Sequence, residues 1–163
     1  MSMRSHIKKT AVPCYDKAMD LLAFRAHSRA ELERKLLERG YTEDEVCDAV
    51  KRLINAHLLD DKAYAERQTE LMIQGKGFAP RRIMQELRRR GVDGDTIAAA
   101  IDAVEDYDPL ETISAMLERK FARNLNTEQG RRRTVNALVR MGYGWSDIRR
   151  AMSNFKEEEN NYE

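Results

Sequence analysis

Apolar residues along this chain recur at intervals of three and four, and no β-branched run alternates with polar positions. Leu32, Leu36 and Leu37 form one such set, and Val46, Val50, Leu53 and Ile54 another. Ile83 and Leu87, followed by Ile97, Ile101 and Val104, repeat the pair. This spacing lines apolar side chains along one face of an α-helix, whereas a half-buried strand would show period two. The pattern predicts an all-α chain.

Glycine punctuates the pattern. Gly40, Gly91 and Gly142 each follow an amphipathic run ending in basic residues, where a helix C-terminus calls for the left-handed conformation. They lie 51 residues apart, and a shift of 51 preserves apolar character at position after position. Leu36 goes to Leu87 and Leu138, Tyr41 to Val92 and Tyr143, and Val46 to Ile97 and Ile148. Ala49 goes to Ala100 and Ala151, Val50 to Ile101 and Met152, and Leu53 to Val104 and Phe155. After each glycine, Thr42, Asp93 and Gly144 fall at the expected N-cap. Ser28, Ala79 and Gly130 precede the middle helix of each unit; Ser28 with Glu31 forms a capping box, and Pro80 takes the first helical position.

The period predicts three tandem three-helix repeats. Their helices are expected over 15–27, 29–39 and 43–56, then 61–74, 80–90 and 94–105, then 109–124, 131–141 and 145–156. Asp108 caps the seventh and Pro109 opens it, and residues 75–78 (GKGF) form a loop. The organisation expected is an extension over 1–14, repeats over 15–57, 58–107 and 108–156, and an acidic, frayed tail over 157–163. Helices this short bury their stripes only by packing on each other and on the next unit, so an elongated, curved array is expected.

The chain has 163 residues, 42% of them apolar, and a mean hydropathy of −0.71. These values suit a folded, cytoplasmic protein without a membrane span. The first residues, MSMRSHIKKTAVPC, carry bases without an apolar stretch behind them, so a secretory signal is not expected. Two cysteines without a CxxC argue against a disulfide scaffold or structural zinc. Cys47, beside Val46 and Val50, reads as a buried, inert thiol. His6, His27 and His57 lie far apart and read as ordinary half-exposed side chains, not metal ligands. Residues 74–77 (QGKG) lack the phosphate-loop pattern and read as an interhelical loop. Asp60 and Asp61 read as the cap of the following helix. Tyr143 and Trp145 flank the third glycine turn, and both stacking on a partner and filling a core remain open for them. No catalytic constellation, metal or cofactor is expected; the chain reads as a binding protein.

Net charge is only +1, yet 35% of residues are charged, and the charges segregate. Lys76, Arg81, Arg82, Arg88, Arg89 and Arg90 face the single acid Glu86 within 76–90, and Arg131, Arg132, Arg133 and Arg140 have no acid among them within 131–140. The third helices of the first two units are acidic instead, with Glu43, Asp44, Glu45 and Asp48 in one and Asp95, Asp102 and Glu105 in the other. Of these, Glu43, Asp44, Glu45 and Asp95 sit at the N-terminal ends, where a helix-turn-helix reader would meet phosphates, so sequence-specific readout by these helices is not expected. They complement the helix dipole instead. The ten bases are the candidate contact residues for a polyanionic or acidic partner.

Three strings, LLAFRAHSRAELERKLLERG at 21–40, LLDDKAYAERQ at 58–68 and GKGFAPRRIMQELRRRGV at 75–92, closely resemble the RecX family of bacterial recombination regulators. The resemblance runs from about Asp16 to Phe155 and is most specific in LDDKAYA and GFAPRRIMQEL. It implies a non-enzymatic cytoplasmic protein, here expected to be a monomer. It also implies binding to the RecA nucleoprotein filament and contact with single-stranded or double-stranded DNA. The implied effect is inhibition of filament extension, ATP hydrolysis, strand exchange and coprotease activity. Leu58, Leu59, Asp60, Asp61 and Tyr64 are expected to join the first two repeats. The third repeat departs from the pattern at Gly130 and the preceding loop 124–129. The alternatives are a general nucleic-acid-binding helical module and an adaptor for an unrelated protein.

Overall fold

The computed structural model describes residues 12–104 and 107–161, and among them are nine α-helices and no strand. They are α1 (Cys14–Phe24), α2 (Arg29–Leu37), α3 (Glu43–Asn55), α4 (Asp61–Lys76), α5 (Pro80–Arg89), α6 (Gly94–Asp102), α7 (Pro109–Met116), α8 (Glu128–Arg140) and α9 (Trp145–Asn161). Most of the expected extension over 1–14, with His6, lies outside the described residues, as does Glu105 at the end of the expected sixth helix. No helix among the described residues is long and apolar enough to cross a membrane.

The starts follow from side-chain chemistry. Ser28 with Glu31 and Thr42 with Glu45 form capping boxes, while Asp93 accepts from the Thr96 N–H at 2.9 Å. Asp60 accepts from Lys62 and Ala63, and Asp108 accepts from Leu110 ahead of Pro109 at N1.

The stops are one device used three times. Gly40, Gly91 and Gly142 have φ of +89°, +78° and +95°. In each case the residue after the glycine donates its N–H to the leucine five positions back: Tyr41 to Leu36, Val92 to Leu87 and Tyr143 to Leu138. This is the Schellman arrangement, with its apolar contact made by the same Leu and Tyr or Val that the period picked out. His57 occupies the equivalent place after α3 with φ +55°, the only described non-glycine residue with positive φ.

Two units emerge, the first comprising the described residues up to Arg67 with Leu87–Ile97, the second Gln68–Glu86 with the described residues from Ala98 onward. In the first unit α1 packs on α2 and α3 around Ala18, Leu32, Leu36, Val46, Val50 and Leu53. In the second α7 packs on α9, and Ile113, Leu117, Leu138, Ile148 and Ala151 form the centre. Leu36, Leu87 and Leu138 are all fully buried, as the 51-residue period requires.

The joint between a middle helix and the following glycine turn also recurs at that period. In the first unit the Ser28 hydroxyl donates to the carbonyl of Arg90, and a Cβ on Gly91 would collide with Ala30. In the second the Ala79 N–H donates to the carbonyl of Met141 at 2.9 Å, and a Cβ on Gly142 would lie 2.8 Å from the Arg82 backbone nitrogen. Nothing lies within 4 Å of a Cβ on Gly40. Gly40→Ala is therefore expected to cost about 1 kcal/mol, the left-handed penalty alone. Gly142→Ala is expected to cost roughly twice that, because backbone cannot step aside. Urea unfolding of the two variants checks the order.

Several expectations need correction. Cys47 is exposed and Cys14 is the buried thiol. The α3 stripe of Val46, Ala49, Val50 and Leu53 takes the core, and Cys47 lies about 100° round the helix from Val46. His27 is buried, its Nδ1–H donating to the Arg25 carbonyl at 2.9 Å, while His57 is exposed. Gly75 belongs to α4, and the chain turns at Gly77, φ +64°. The seventh helix does not run unbroken to 124; α7 gives way to a π-helical turn at Leu117–Phe121 and a 3-10 turn at Ala122–Asn124. The next helix starts three residues before the period places it. Thr127 is its N-cap, and Gly130 sits inside it, where a Cβ would strike the Asn124 carbonyl. The tail is not frayed as far as Asn161, since α9 continues to that residue.

Candidate functional site

In the first unit the candidate bases are Arg88, Arg89 and Arg90 at the end of α5. Arg88 and Arg89 are exposed. Arg90 is half-buried and turned inward: its guanidinium donates to the Tyr64 hydroxyl at 3.2 Å, and its carbonyl takes the Ser28 hydroxyl. It belongs to a buried polar node around Glu31. That carboxylate accepts from the Tyr64 O–H at 3.1 Å, from Arg25 at 3.3 and 3.4 Å, and from the Ser28 N–H at 3.4 Å. Asp61 completes the joint by accepting the Arg29 N–H at 2.7 Å. Of the five residues expected to join the first two repeats, Asp61 and Tyr64 make these contacts, and Leu59 is buried while Leu58 is exposed.

The node sets a pH response. Burial, then the nearby Arg25 charge, holds His27 below its ordinary 6.5. Burial pushes Glu31 up, but hydrogen bonds and charge from Arg25, the Ser28 N–H and Tyr64 together hold it below its ordinary 4.5. Below 6.5 the unfolded chain takes up a proton on His27 that the folded chain resists, so stability falls as pH drops. The Glu31 contribution is present above 4.5 and is lost as pH falls through its depressed value. The thermal midpoint is expected to decline from pH 7 to pH 5, and His27→Gln, which keeps a donor for the Arg25 carbonyl, is expected to flatten that slope.

In the second unit the chain turn at Gly77 gathers Lys76, Phe78 and Arg82. The Lys76 ammonium lies 5.4 Å and the Arg82 guanidinium 5.6 Å from the Phe78 ring centre, so one ring faces two cations. The Tyr143 hydroxyl donates to the Gly77 carbonyl at 2.9 Å and pins the turn. Arg82 is half-buried and paired with Glu86 at 2.7 Å, so it is the more structural of the two. Arg81, on the same helix turn, is exposed.

The cations of α8 divide similarly. Arg131 is half-buried and donates to the Leu125 carbonyl at 2.8 Å; Arg132 pairs with Glu128 at 2.9 Å in an exposed bridge. Arg133 and Arg140 are exposed. The ten candidates therefore separate into outward cations (Lys76, Arg81, Arg88, Arg89, Arg132, Arg133, Arg140) and three held partly within the fold (Arg82, Arg90, Arg131). Sequence reasoning passed over Arg149 and Arg150, both exposed on α9, and left Trp145 undecided; it is 62% exposed while Tyr143 is buried. Among the described residues, no group of three or more His, Cys, Asp or Glu is placed to hold a metal ion.

Helix pairs closed by a repeated glycine turn, with exposed arginines on α5 and α8, define an all-α helical-repeat protein with cationic surfaces. Residues 14–53 match the first three-helix domain of RecX, and residues 60–101 match the second. A regulatory protein RecX of Trichlorobacter lovleyi is 37% identical over 134 residues, covering 80% of this chain and 87% of that protein. Its counterpart in Stenotrophomonas maltophilia is 35% identical over 136 residues, covering 83% and 82%. The crystal structure of RecX from Lactobacillus salivarius superposes with a TM-score of 0.72 at 22% identity, covering 88% of this chain and 94% of that one, and so shares the fold. The chain belongs to the RecX family of regulatory proteins.

Proposed function

We propose that this protein binds the RecA–DNA filament and restrains it, inhibiting filament extension, ATP hydrolysis, strand exchange and coprotease activity. In that way it modulates recombination and the SOS response from the cytoplasm, as a monomer without catalytic activity of its own. The observation that carries this reading is the likeness, over most of the chain, to proteins named regulatory protein RecX. The outward cations of α5 and α8 support it, because they offer unburied positive charge to acidic protein surface or to DNA phosphate. The 51-residue repeat supports it too, since recurring like units can meet recurring subunits of a polymer.

Co-sedimentation tests the reading against a general nucleic-acid-binding module. The protein is expected to pellet with RecA assembled on single-stranded DNA far more tightly than it retains the same DNA without RecA. Equal affinity for naked DNA, falling steeply with salt, would establish the module instead.

A further inference from the structure

The helices of the second unit enclose a groove that has a counterpart two periods earlier. Between α8 and α9 a cavity of about 260 Å³ is lined by Arg131, Val135, Trp145, Ile148, Arg149 and Met152. A shift of 102 residues places these on Arg29, Glu33, Glu43, Val46, Cys47 and Val50. All six line a groove of about 330 Å³ between α2 and α3 of the first unit. The two grooves are the same feature of the repeat, and their chemistry differs.

In the earlier groove the one shared arginine is neutralised, for Arg29 pairs with Glu33 at 2.8 Å. Glu43 adds a further acid at the rim. In the later groove Val135 stands where Glu33 stood, Trp145 replaces Glu43, and Arg149 replaces Cys47. Two acids have gone, and the second cation has moved, for Ser153 stands where Lys51 stood and Arg149 supplies the charge instead. Arg131 is held at the rim by the Leu125 carbonyl, and no carboxylate of a described side chain lies within ion-pair distance of it or of Arg149. Val135, Ile148 and Met152 provide an aliphatic and thioether floor. The Trp145 ring is left in solvent, an unusual place for so large an apolar surface.

We propose that this groove docks an acidic segment of a partner protein, with one apolar side chain of the segment on the Val135–Ile148–Met152 floor against Trp145. Carboxylates flanking that side chain pair with Arg131 and Arg149, whose guanidinium forks match them bidentately. The floor favours a peptide over single-stranded nucleic acid, which is held by several stacking rings along a continuous basic track. Here there is one ring, and the cavity has room for one or two side chains. Trp, Arg and Met, which line this groove together, are also the residues enriched where proteins meet. The site stands apart from the filament reading, since it specifies partner chemistry and not partner identity.

Trp145 is the chain's only tryptophan, so its emission reports on this groove directly. The probe is a short synthetic peptide with one leucine flanked by glutamates, titrated into the full chain. A saturable blue shift is expected, abolished when the leucine is replaced by serine. Arg149→Glu is expected to weaken binding about tenfold, and so is Val135→Glu, which rebuilds the acid that neutralises Arg29 in the first unit. An environment-sensitive dye on exposed Cys47, with Cys14 buried, reads the earlier groove in the same sample and should stay silent. No shift at millimolar peptide, an equal response from the Cys47 dye, or a larger response to an oligothymidylate than to the peptide overturns the proposal. Circular dichroism of each variant checks that folding is intact. None of these failures touches filament binding, which sedimentation reads separately.

Discussion

Arg88→Glu with Arg89→Glu, leaving Arg90 in place, is expected to weaken binding to the RecA filament by about 10–100-fold while leaving thermal stability nearly unchanged. Both side chains are exposed, so reversing them alters the charge offered to a partner without opening the core. Including Arg90 would confound the result, because its guanidinium and carbonyl hold Tyr64 and Ser28. The matched change in the second unit is Arg81→Glu with Arg140→Glu. If only one pair weakens binding, that unit makes the contact; if both do, the surface extends over both. The salt dependence of binding should flatten in whichever pair matters, since fewer counterions are displaced on contact. Affinity and salt slope that survive both pairs would make the arginines a solvated face.

Glu31→Ala is expected to produce the larger loss of stability, roughly 3 kcal/mol. Three effects combine. The capping box of α2 loses its second half, the Tyr64 hydroxyl loses its buried acceptor, and Arg25 loses its counter-charge. Tyr64→Phe removes only one donor and should cost about a third as much. For a chain of this size the Glu31 change lowers the thermal midpoint by about 5–15 °C. A double-mutant cycle with Tyr64→Phe should show coupling, because the two groups share one hydrogen bond. Strict additivity would mean that the node is a set of independent contacts.

The repeat was legible because it is written in residues with few alternatives. A glycine at a C-terminal cap followed by Tyr or Val, with a leucine five positions before, specifies both a turn and its packing. Three copies at one spacing place Leu36, Leu87 and Leu138 in equivalent buried sites. The flanks of the helices were harder. Cys47 sits next to an apolar stripe in sequence, but one step of the helix carries it to the surface. The period held the clue, because the same position carries Arg149 two repeats later. His27 is buried within the link between α1 and α2, its ring bonded to the Arg25 carbonyl, and helical periodicity does not describe a link. At Gly130 the period itself misled: Thr127 offered a stronger cap three residues earlier, and the helix began there.

The candidate contacts were legible as a set but not one by one. A run of arginines shows that charge accumulates on a helix, while the partner of each guanidinium depends on residues distant in the chain. Arg90 turns toward Tyr64 and Arg82 pairs with Glu86, whereas their neighbours Arg81 and Arg88 are exposed. The groove of Trp145 was hidden differently. Its lining residues are scattered over α8 and α9, and only the structure shows that they share one cavity with a counterpart two periods away.

The central claim is that this protein acts on the RecA filament, and ATP hydrolysis by RecA on single-stranded DNA reports on it most directly. Added at a small fraction of the RecA concentration, the protein is expected to slow hydrolysis progressively, with the Arg88→Glu/Arg89→Glu variant needing far more to match it. Hydrolysis that continues at its full rate with equimolar protein would contradict the claim.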